Sequence, residues 1–304
     1  MYVSSDEILT KFQNLRVWTR HGTRAPYKPM LAIWAVGRCL NGEARFVLFD
    51  TVHLELARLI RLFGPHRRRV PSAYPFWRMQ HDGVWEIDRP HEVRLDASGN
   101  ALVTSLRELG IKGGLTESIY RTLGEDRNLA FRVVLSLLDS HFPDSLHDDI
   151  LRATVFDAAP AVDDNQIVES VVRYRKRDSA FRASVLDAYH GRCAVCELSL
   201  KLDEESIALE AAHIRWHAYS GPSEVRNGLA LCVLHHKLFD LGAFTVGEDL
   251  NMLVSDYVTG HGKEASIGQY DGERIYLPAG LADSLRPDPE FVRWHRSEVF
   301  RSNV

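Results

Sequence analysis

Two short pairs of cysteine and histidine constrain this chain more than anything else in it. Cys193-Ala-Val-Cys196 is a C-x-x-C, and Cys232-Val-Leu-His235 is a C-x-x-H. A two-residue gap on a tight turn lets two side chains converge on one ion. Two such pairs supply the four ligands of a closed, tetrahedral zinc site. Cys193, Cys196, Cys232 and His235 are therefore expected to hold a structural Zn2+. A Cys193–Cys196 disulfide or a redox C-x-x-C would use the same first pair, but neither accounts for the second. The fourth cysteine, Cys39, lies in the apolar, helix-patterned stretch PMLAIWAVGRCL and reads as a buried free thiol.

The rest of the composition sets the class. A chain of 304 residues, 45% hydrophobic and 26% charged, is globular rather than disordered or collagen-like, and its length suits two domains. No run approaches the roughly 18 apolar residues that a membrane helix needs. The start, MYVSSDEILTKFQNL, lacks a basic-then-apolar leader pattern. The expectation is a soluble, cytoplasmic protein with no membrane partner. The net charge of -4 hides an uneven layout: residues 11–80 hold thirteen Lys and Arg against Glu43, Asp50 and Glu55. Residues 141–170 run the other way, with acids such as Asp144, Asp148, Asp149, Asp163, Asp164 and Glu169 against Arg152. A basic region of this kind suits a polyanion, and it equally suits a solvated Arg-rich surface.

Periodicity and breakers predict a helix to about residue 15, then a Gly- and Pro-rich loop over 20–29, then a helix over 30–40 ended by Asn41-Gly42. Residues 44–49 read as a strand and 52–63 as a helix. Residues 74–79 and 84–87 read as strands flanking an Asp82-Gly83 hairpin turn. Helices are expected over 101–110, 117–123, 127–140 and 143–156. Residues 158–177 read as a linker. The second half opens with a helix over 178–190, and residues 289–301 read as a docking helix rich in aromatics. The domain boundaries expected are 1–157, 158–177 and 178–304. The fold class is α+β: a mainly helical N-terminal domain with a small sheet, then a smaller α+β domain around the zinc ligands.

One segment carries chemistry. After the C-x-x-C come Ile207-Ala-Leu-Glu210-Ala-Ala-His213-Ile214 and Asn227-Gly-Leu-Ala-Leu-Cys232-Val-Leu-His235-His236-Lys237-Leu-Phe-Asp240. Over residues 180–250 this order resembles the HNH nuclease family, whose ββα-metal fold pairs a hairpin with one helix. The resemblance implies a metal-dependent DNA endonuclease. His213 would be the general base, since a neutral imidazole with a pKa near 6.5 takes a proton from water at neutral pH. Asn227 would brace the loop, and His236 would bind a catalytic divalent cation, Mg2+ or Mn2+. His235 and His236 point about 100° apart on a helix, so one can face the zinc and the other the active site. Many family members carry Asp or His just before the base, where this chain has Ala212. Asp240, one helical turn after His236, is a candidate second ligand, and it could equally brace the helix end. Glu210 lies three residues before His213; on a strand the two point to opposite faces, so it is not placed in the site. His190, His217 and His261 read as surface or structural.

The N-terminal half carries a second resemblance. Ala25-Pro26-Tyr27-Lys28-Pro29-Met30-Leu31, and Tyr74-Pro75-Phe76-Trp77-Arg78-Met79-Gln80 with Asp82-Gly83-Val84-Trp85, are similar to the sulfur-binding domain that precedes HNH modules in phosphorothioate-dependent, McrA-like type IV restriction endonucleases. It implies that residues 1–157 read double-stranded DNA carrying a phosphorothioate, in which sulfur replaces a non-bridging phosphate oxygen. Sulfur is more weakly hydrated than oxygen, so an apolar pocket loses less in desolvating it. Tyr74, Pro75 and Trp77 would form that pocket. Lys28 with Tyr27 would meet the phosphate at a helix start, and Arg78, Arg20, His21 and Arg24 would follow the backbone or bases. The family often has His-Arg where this chain has Tyr27-Lys28, and Lys lacks the bidentate fork of Arg. Cutting both strands needs two active sites, so a homodimer is expected. The alternatives are an HNH nuclease reading another mark such as methylcytosine, which would need a pocket for a flipped base, a catalytically inactive zinc-knuckle DNA binder, and a structural or interaction protein whose aromatics are all core.

Overall fold

Residues 29–36 are apolar at every position, and a helix that is apolar all round has to be buried on every side. The computed structural model describes residues 4–17, 19–20, 23–24, 26–64, 70–154, 179–202 and 205–302. The chain divides into two compact units, residues 1–168 and 169–304. In the first, the helices are α1 (Ser5–Gln13), α2 (Tyr27–Leu40), α3 (Phe49–Phe63), α4 (Ala73–Arg78), α5 (Val103–Glu108), α6 (Glu117–Glu125), α7 (Arg127–His141) and α8 (His147–Thr154). The apolar run becomes the body of α2, which packs against α3, α4, α6, α7 and α8 and buries Met30, Leu31, Ile33 and Val36 completely. Short polar side chains start the neighbours: Ser4 Oγ accepts from the Glu7 amide at 3.2 Å, and Asp126 Oδ1 from the Leu129 amide at 2.9 Å.

Strands are few and short. β1 (Thr19–Arg20) pairs antiparallel with β2 (Thr23–Arg24). A three-stranded sheet has the order β3 (Val47–Leu48), β5 (Lys112–Leu115), β4 (Trp85–Ile87), all antiparallel. Its central strand contains Gly113 and Gly114 because nothing larger fits. A Cβ on Gly114 would lie 2.1 Å from the Arg45 carbonyl oxygen, and one on Gly113 would lie 2.8 Å from the Trp85 ring. The space left at Gly113 is taken by Phe76 and Trp85, which meet edge-on at 5.8 Å.

The structure corrects several expectations. Residues 74–79 are not a strand: Tyr74, Pro75, Phe76, Trp77 and Arg78 lie in α4, and a 3-10 turn follows over Met79–Asp82. Pro75 occupies the third helical position, where its missing N–H has no helical acceptor, whereas in a sheet it would remove a ladder bond. Gly83 is left-handed, with φ 72°, and ends this helical turn instead of making a hairpin. Residues 44–49 yield only the two-residue β3, and α3 starts at Phe49, three residues earlier than expected. Helices at the other predicted places are present. The expected linker, residues 158–177, lies outside the described residues, as does His21. Among the described residues, no helix is long and apolar enough to cross a membrane.

The second unit is built on a hairpin and the helix that follows it. β8 (Leu209–His213) pairs antiparallel with β9 (Gly228–Cys232) in the register Leu209↔Cys232 to His213↔Gly228. Ahead of them lie α9 (Ser179–Ala188), which packs on both strands, and a small hairpin of β6 (Leu200–Leu202) with β7 (Glu205–Ile207). β9 passes directly into α10 (Val233–Asp240), and a hairpin of β10 (Phe244–Val246) and β11 (Met252–Val254) follows. The core joins Phe181, Val185, Tyr189, Leu209, Leu229 and Leu231 to Phe239 and Phe244. After the short α11 (Lys263–Ser266), α12 (Pro289–Glu298) is capped by Asp288 and docks as its aromatics predict. Its Trp294 packs with Trp216 and Tyr219, and its His295 ring stacks on Phe239 at 3.7 Å.

Lys28 shows how tightly the first unit is closed. Its Nζ lies 2.5 Å from Asp82 Oδ2, both side chains are almost fully buried, and Asp82 Oδ1 accepts from the Arg16 amide at 3.2 Å. Removing one partner of such a pair leaves an uncompensated buried charge, so Asp82→Ala is expected to cost about 3–5 kcal/mol. The measurement is a lower urea midpoint at unchanged slope, largely recovered in Lys28→Met/Asp82→Leu. A midpoint equal to that of the wild type would mean that Lys28 reaches solvent.

Candidate active site and metal centre

The four predicted metal ligands meet. Atoms of Cys193, Cys196, Cys232 and His235 all lie within 4.8 Å of one another. His235 Nδ1 is 3.5 Å from Cys193 Sγ and 3.2 Å from Cys232 Sγ, and Cys196 Sγ is 4.0 Å from Cys232 Sγ. These separations suit four ligands around one ion with metal–sulfur bonds of about 2.3 Å. On the far side of its ring, His235 Nε2 donates to the Ser266 carbonyl at 2.8 Å, which leaves Nδ1 free to ligate. The cysteines are free thiols rather than a disulfide. Cys193 is held low by its hydrogen bond from Cys232, while Cys232 is pushed up to about 11, first by that same bond and then by burial. Three crowded sulfurs cannot all ionise unless a cation joins them. Local chain geometry makes the turn: Glu197 is left-handed, with φ 55°, and its amide donates to the Cys193 carbonyl at 2.9 Å.

The neighbouring residue on α10 belongs to a different cluster. His236 Nε2 lies 3.1 Å from Asp240 Oδ2, one turn along the helix, and His236 Nδ1 lies 2.6 Å from Glu210 Oε2. Asp240 is buried, and its Oδ1 accepts from the Trp216 indole at 3.1 Å. Burial opposes a charge on His236, but Asp240 and then Glu210 outweigh it and push the imidazole up to about 10. The place of Glu210 is a correction. It does point away from His213, but β8 packs on α10, and that face brings Glu210 to His236. Glu210 shares its face with Ala212, the position where a carboxylate or imidazole was sought. The i, i+2 alternation of a strand was the available signal.

His213 ends β8 and stacks on Phe181 with ring centroids 4.0 Å apart. Its Nε2 is 3.3 Å from Ser223 Oγ, and His217 lies edge-on at 6.1 Å. Burial, then the neighbouring His217, lower its pKa to about 4, so the ring is neutral at physiological pH. Asn227 is wholly buried and clamps the connection between the strands. Its Oδ1 accepts from the Arg215 amide at 2.8 Å, and its Nδ2 donates to the Arg215 and Pro222 carbonyls at 2.9 Å each. Gly221 passes so close that a Cβ there would lie 1.8 Å from the Arg215 oxygen. Asn227 thus holds the loop that carries Ser223 against His213.

Among the described side chains of the first unit, most of the predicted residues are engaged within the fold. Lys28 is held by Asp82. Trp77 is buried and donates its indole N–H to the Gly99 carbonyl at 3.1 Å. Arg78 donates to Asn100 Oδ1 at 2.9 Å and to the Ser98 carbonyl at 2.6 Å, bracing the same loop. Pro75 is buried in α4, and Tyr27 and Tyr74 are half-buried. Arg20 and Arg24 lie on the paired strands β1 and β2, on either side of residues 21–22.

A β-hairpin running into a helix, with His213, Asn227 and His236 around it and a Cys3His cluster behind, defines an HNH endonuclease. Residues 193–247 match the family model of the HNH endonucleases, and residues 5–158 match the model described as ScoMcrA-like, DNA sulfur-binding domain. The latter spans half of the chain, and the protein belongs to the ScoMcrA-like DNA sulfur-binding family, with an HNH endonuclease domain in its second unit. Solved structures similar to it include the sulfur-binding domain of ScoMcrA complexed with phosphorothioated DNA, at 22% identity over 47% of this chain and 93% of that one, TM-score 0.42. The corresponding SprMcrA domain complex is 23% identical over 50% and 94%, TM-score 0.42. The type IV phosphorothioation-dependent restriction endonuclease ScoMcrA is 14% identical over 76% and 93%, TM-score 0.39. No curated protein matches the chain.

The lowered pKa of His213 has a direct readout. In a ring-nitrogen NMR titration its midpoint is expected near pH 4, about two units below an exposed imidazole. A midpoint near 6.5 would mean that the ring is solvated and that its stacking on Phe181 does not persist.

Proposed function

We propose that this protein is a type IV restriction endonuclease that recognises phosphorothioate-modified duplex DNA through its first unit and hydrolyses a phosphodiester nearby with its HNH unit. The carrying observation is the joint presence, on one chain, of a sulfur-binding family unit and an assembled His213–Asn227–His236 constellation. In the cutting step, His213 donates Nε2–H to Ser223 Oγ and accepts a proton from water at Nδ1. The hydroxide oxygen bonds to phosphorus, and one P–O ester bond breaks. Asn227 keeps the connecting loop, and with it Ser223, in register with the imidazole. A divalent cation held at His236, Mg2+ or Mn2+, supplies charge stabilisation for the phosphate and the leaving oxygen. The Cys193, Cys196, Cys232 and His235 set is closed, with four protein ligands and a thiolate-rich donor set, and suits structural Zn2+.

In the first unit, sulfur recognition is assigned to the half-buried Tyr27 and Tyr74 with Arg20, His21 and Arg24. Lys28, Pro75, Trp77 and Arg78 support that surface from within the fold. A homodimer would bring two active sites to the two strands.

The test is a competition between duplexes of one sequence, with and without phosphorothioate links of the natural stereochemistry, for His213→Ala protein that cuts nothing. The sulfur-containing duplex is expected to bind at least about tenfold more tightly, an advantage lost in Tyr74→Ala. Equal binding overturns the sulfur reading, and preference for a methylated duplex would install the alternative mark. On the modified duplex, His213→Ala is expected to slow cutting by about 10²–10⁴-fold, the usual worth of a general base. Metal analysis is expected to find one zinc per chain, lost in Cys232→Ser; a zinc-free, fully folded wild type would overturn the structural metal.

A further inference from the structure

The two carboxylates on His236 do not occupy equivalent places, and the difference assigns them different tasks. Glu210 Oε2 faces Nδ1, and Asp240 Oδ2 faces Nε2, so they lie on opposite edges of one ring. A single ion bonded to one ring nitrogen can be reached by only one of them. Asp240 is buried, and its second oxygen is already taken by the Trp216 indole. That indole sits in the aromatic cluster of Tyr219 and Trp294, so Asp240 is anchored from behind. Glu210 is roughly half exposed. A carboxylate accepts only, so without an ion each ring nitrogen directs its N–H at one acid; an ion entering on the half-exposed Glu210 side takes the place of the Nδ1 proton, while the buried Asp240 keeps the proton on Nε2. An imidazole whose other N–H is fixed by a carboxylate is the usual form of a metal-ligating histidine. The Nδ1 nitrogen and the Glu210 oxygen are a donor pair that a hard divalent cation accepts.

We propose that Glu210 is the second protein ligand of the catalytic cation, beside His236 Nδ1, and that Asp240 is a positioning residue acting through His236 Nε2. The strand supplies at Glu210 the carboxylate that Ala212 does not, because positions 210 and 212 share one face. This inference rests on the nuclease reading above and identifies which of the two acids touches the ion.

The experiment is an equilibrium titration of the zinc-loaded, full-length protein with Mn2+, following the signal of the free ion by electron paramagnetic resonance, alongside cutting assays. Glu210→Gln keeps the shape but neutralises the ligand, and its partly exposed position makes it a mild change to the fold. It is expected to weaken Mn2+ binding by more than about tenfold. Asp240→Ala is expected to weaken it by about 10–100-fold, the usual effect of losing an orienting partner. In Asp240→Asn/Trp216→Phe the amide oxygen can still accept the Nε2 proton, since the competing indole donor is gone. That variant is expected to bind Mn2+ within about threefold of the wild type, a rescue that a ligating Asp240 would not show. If Glu210→Gln binds as the wild type does, Glu210 is not a ligand and the inference falls while the nuclease reading stands. The inference falls in the same way if the wild type cuts yet takes up no Mn2+. A wild type that neither binds Mn2+ nor cuts removes the nuclease reading itself, and the inference with it.

Discussion

Three sulfurs and one imidazole at the base of a hairpin are the interaction on which the second unit depends. Within a low-dielectric core, thiolates at these distances repel one another, and the opposed shifts at Cys193 and Cys232 record that conflict. A dication held there would turn the repulsion into four bonds. The four side chains join the turn after α9 to the end of β9 and the first turn of α10, and the Ala194 amide donates to the Ala230 carbonyl at 2.7 Å across the same join. A small β-hairpin is marginal by itself in water, so binding energy from an ion held here would count as folding energy.

The first unit solves a different problem with ordinary means. Its sheet is three very short strands, too little to organise a domain, and α2 takes that role by burying nearly all of its surface. An all-apolar helix has no face to spare for recognition. The residues proposed above for recognition accordingly lie outside its body, with Tyr27 at its first position and Arg20 and Arg24 on β1 and β2 just before it. Lys28 sits at that end, but its charge is consumed internally by Asp82.

Spacing made the metal ligands legible, because two-residue gaps have few other uses, and the order of His213, Asn227 and His236 located the catalytic hairpin. Helices with clear caps or long amphipathic runs, such as α7 and α12, were legible for the same local reasons. What escaped depended on contacts between distant segments. Residues 74–79 read as a strand by their aromatics, yet Pro75 and the packing of Phe76 against Phe49 and Trp85 fold them as a helix. The partner of Lys28 is 54 positions away, and no local rule reveals it. Glu210 escaped because its contact is with His236 on α10, 26 positions along the chain, and not with His213 on its own strand.

His235 and His236 are consecutive residues with separate employers, one clasped by sulfur and the other by oxygen. That adjacency makes residues 193–240 an indivisible cassette for anyone who would engineer it. Grafting the catalytic triad of residues onto another hairpin without the knuckle would leave the second histidine unaimed. Moving the knuckle alone would carry half of an active site along with it.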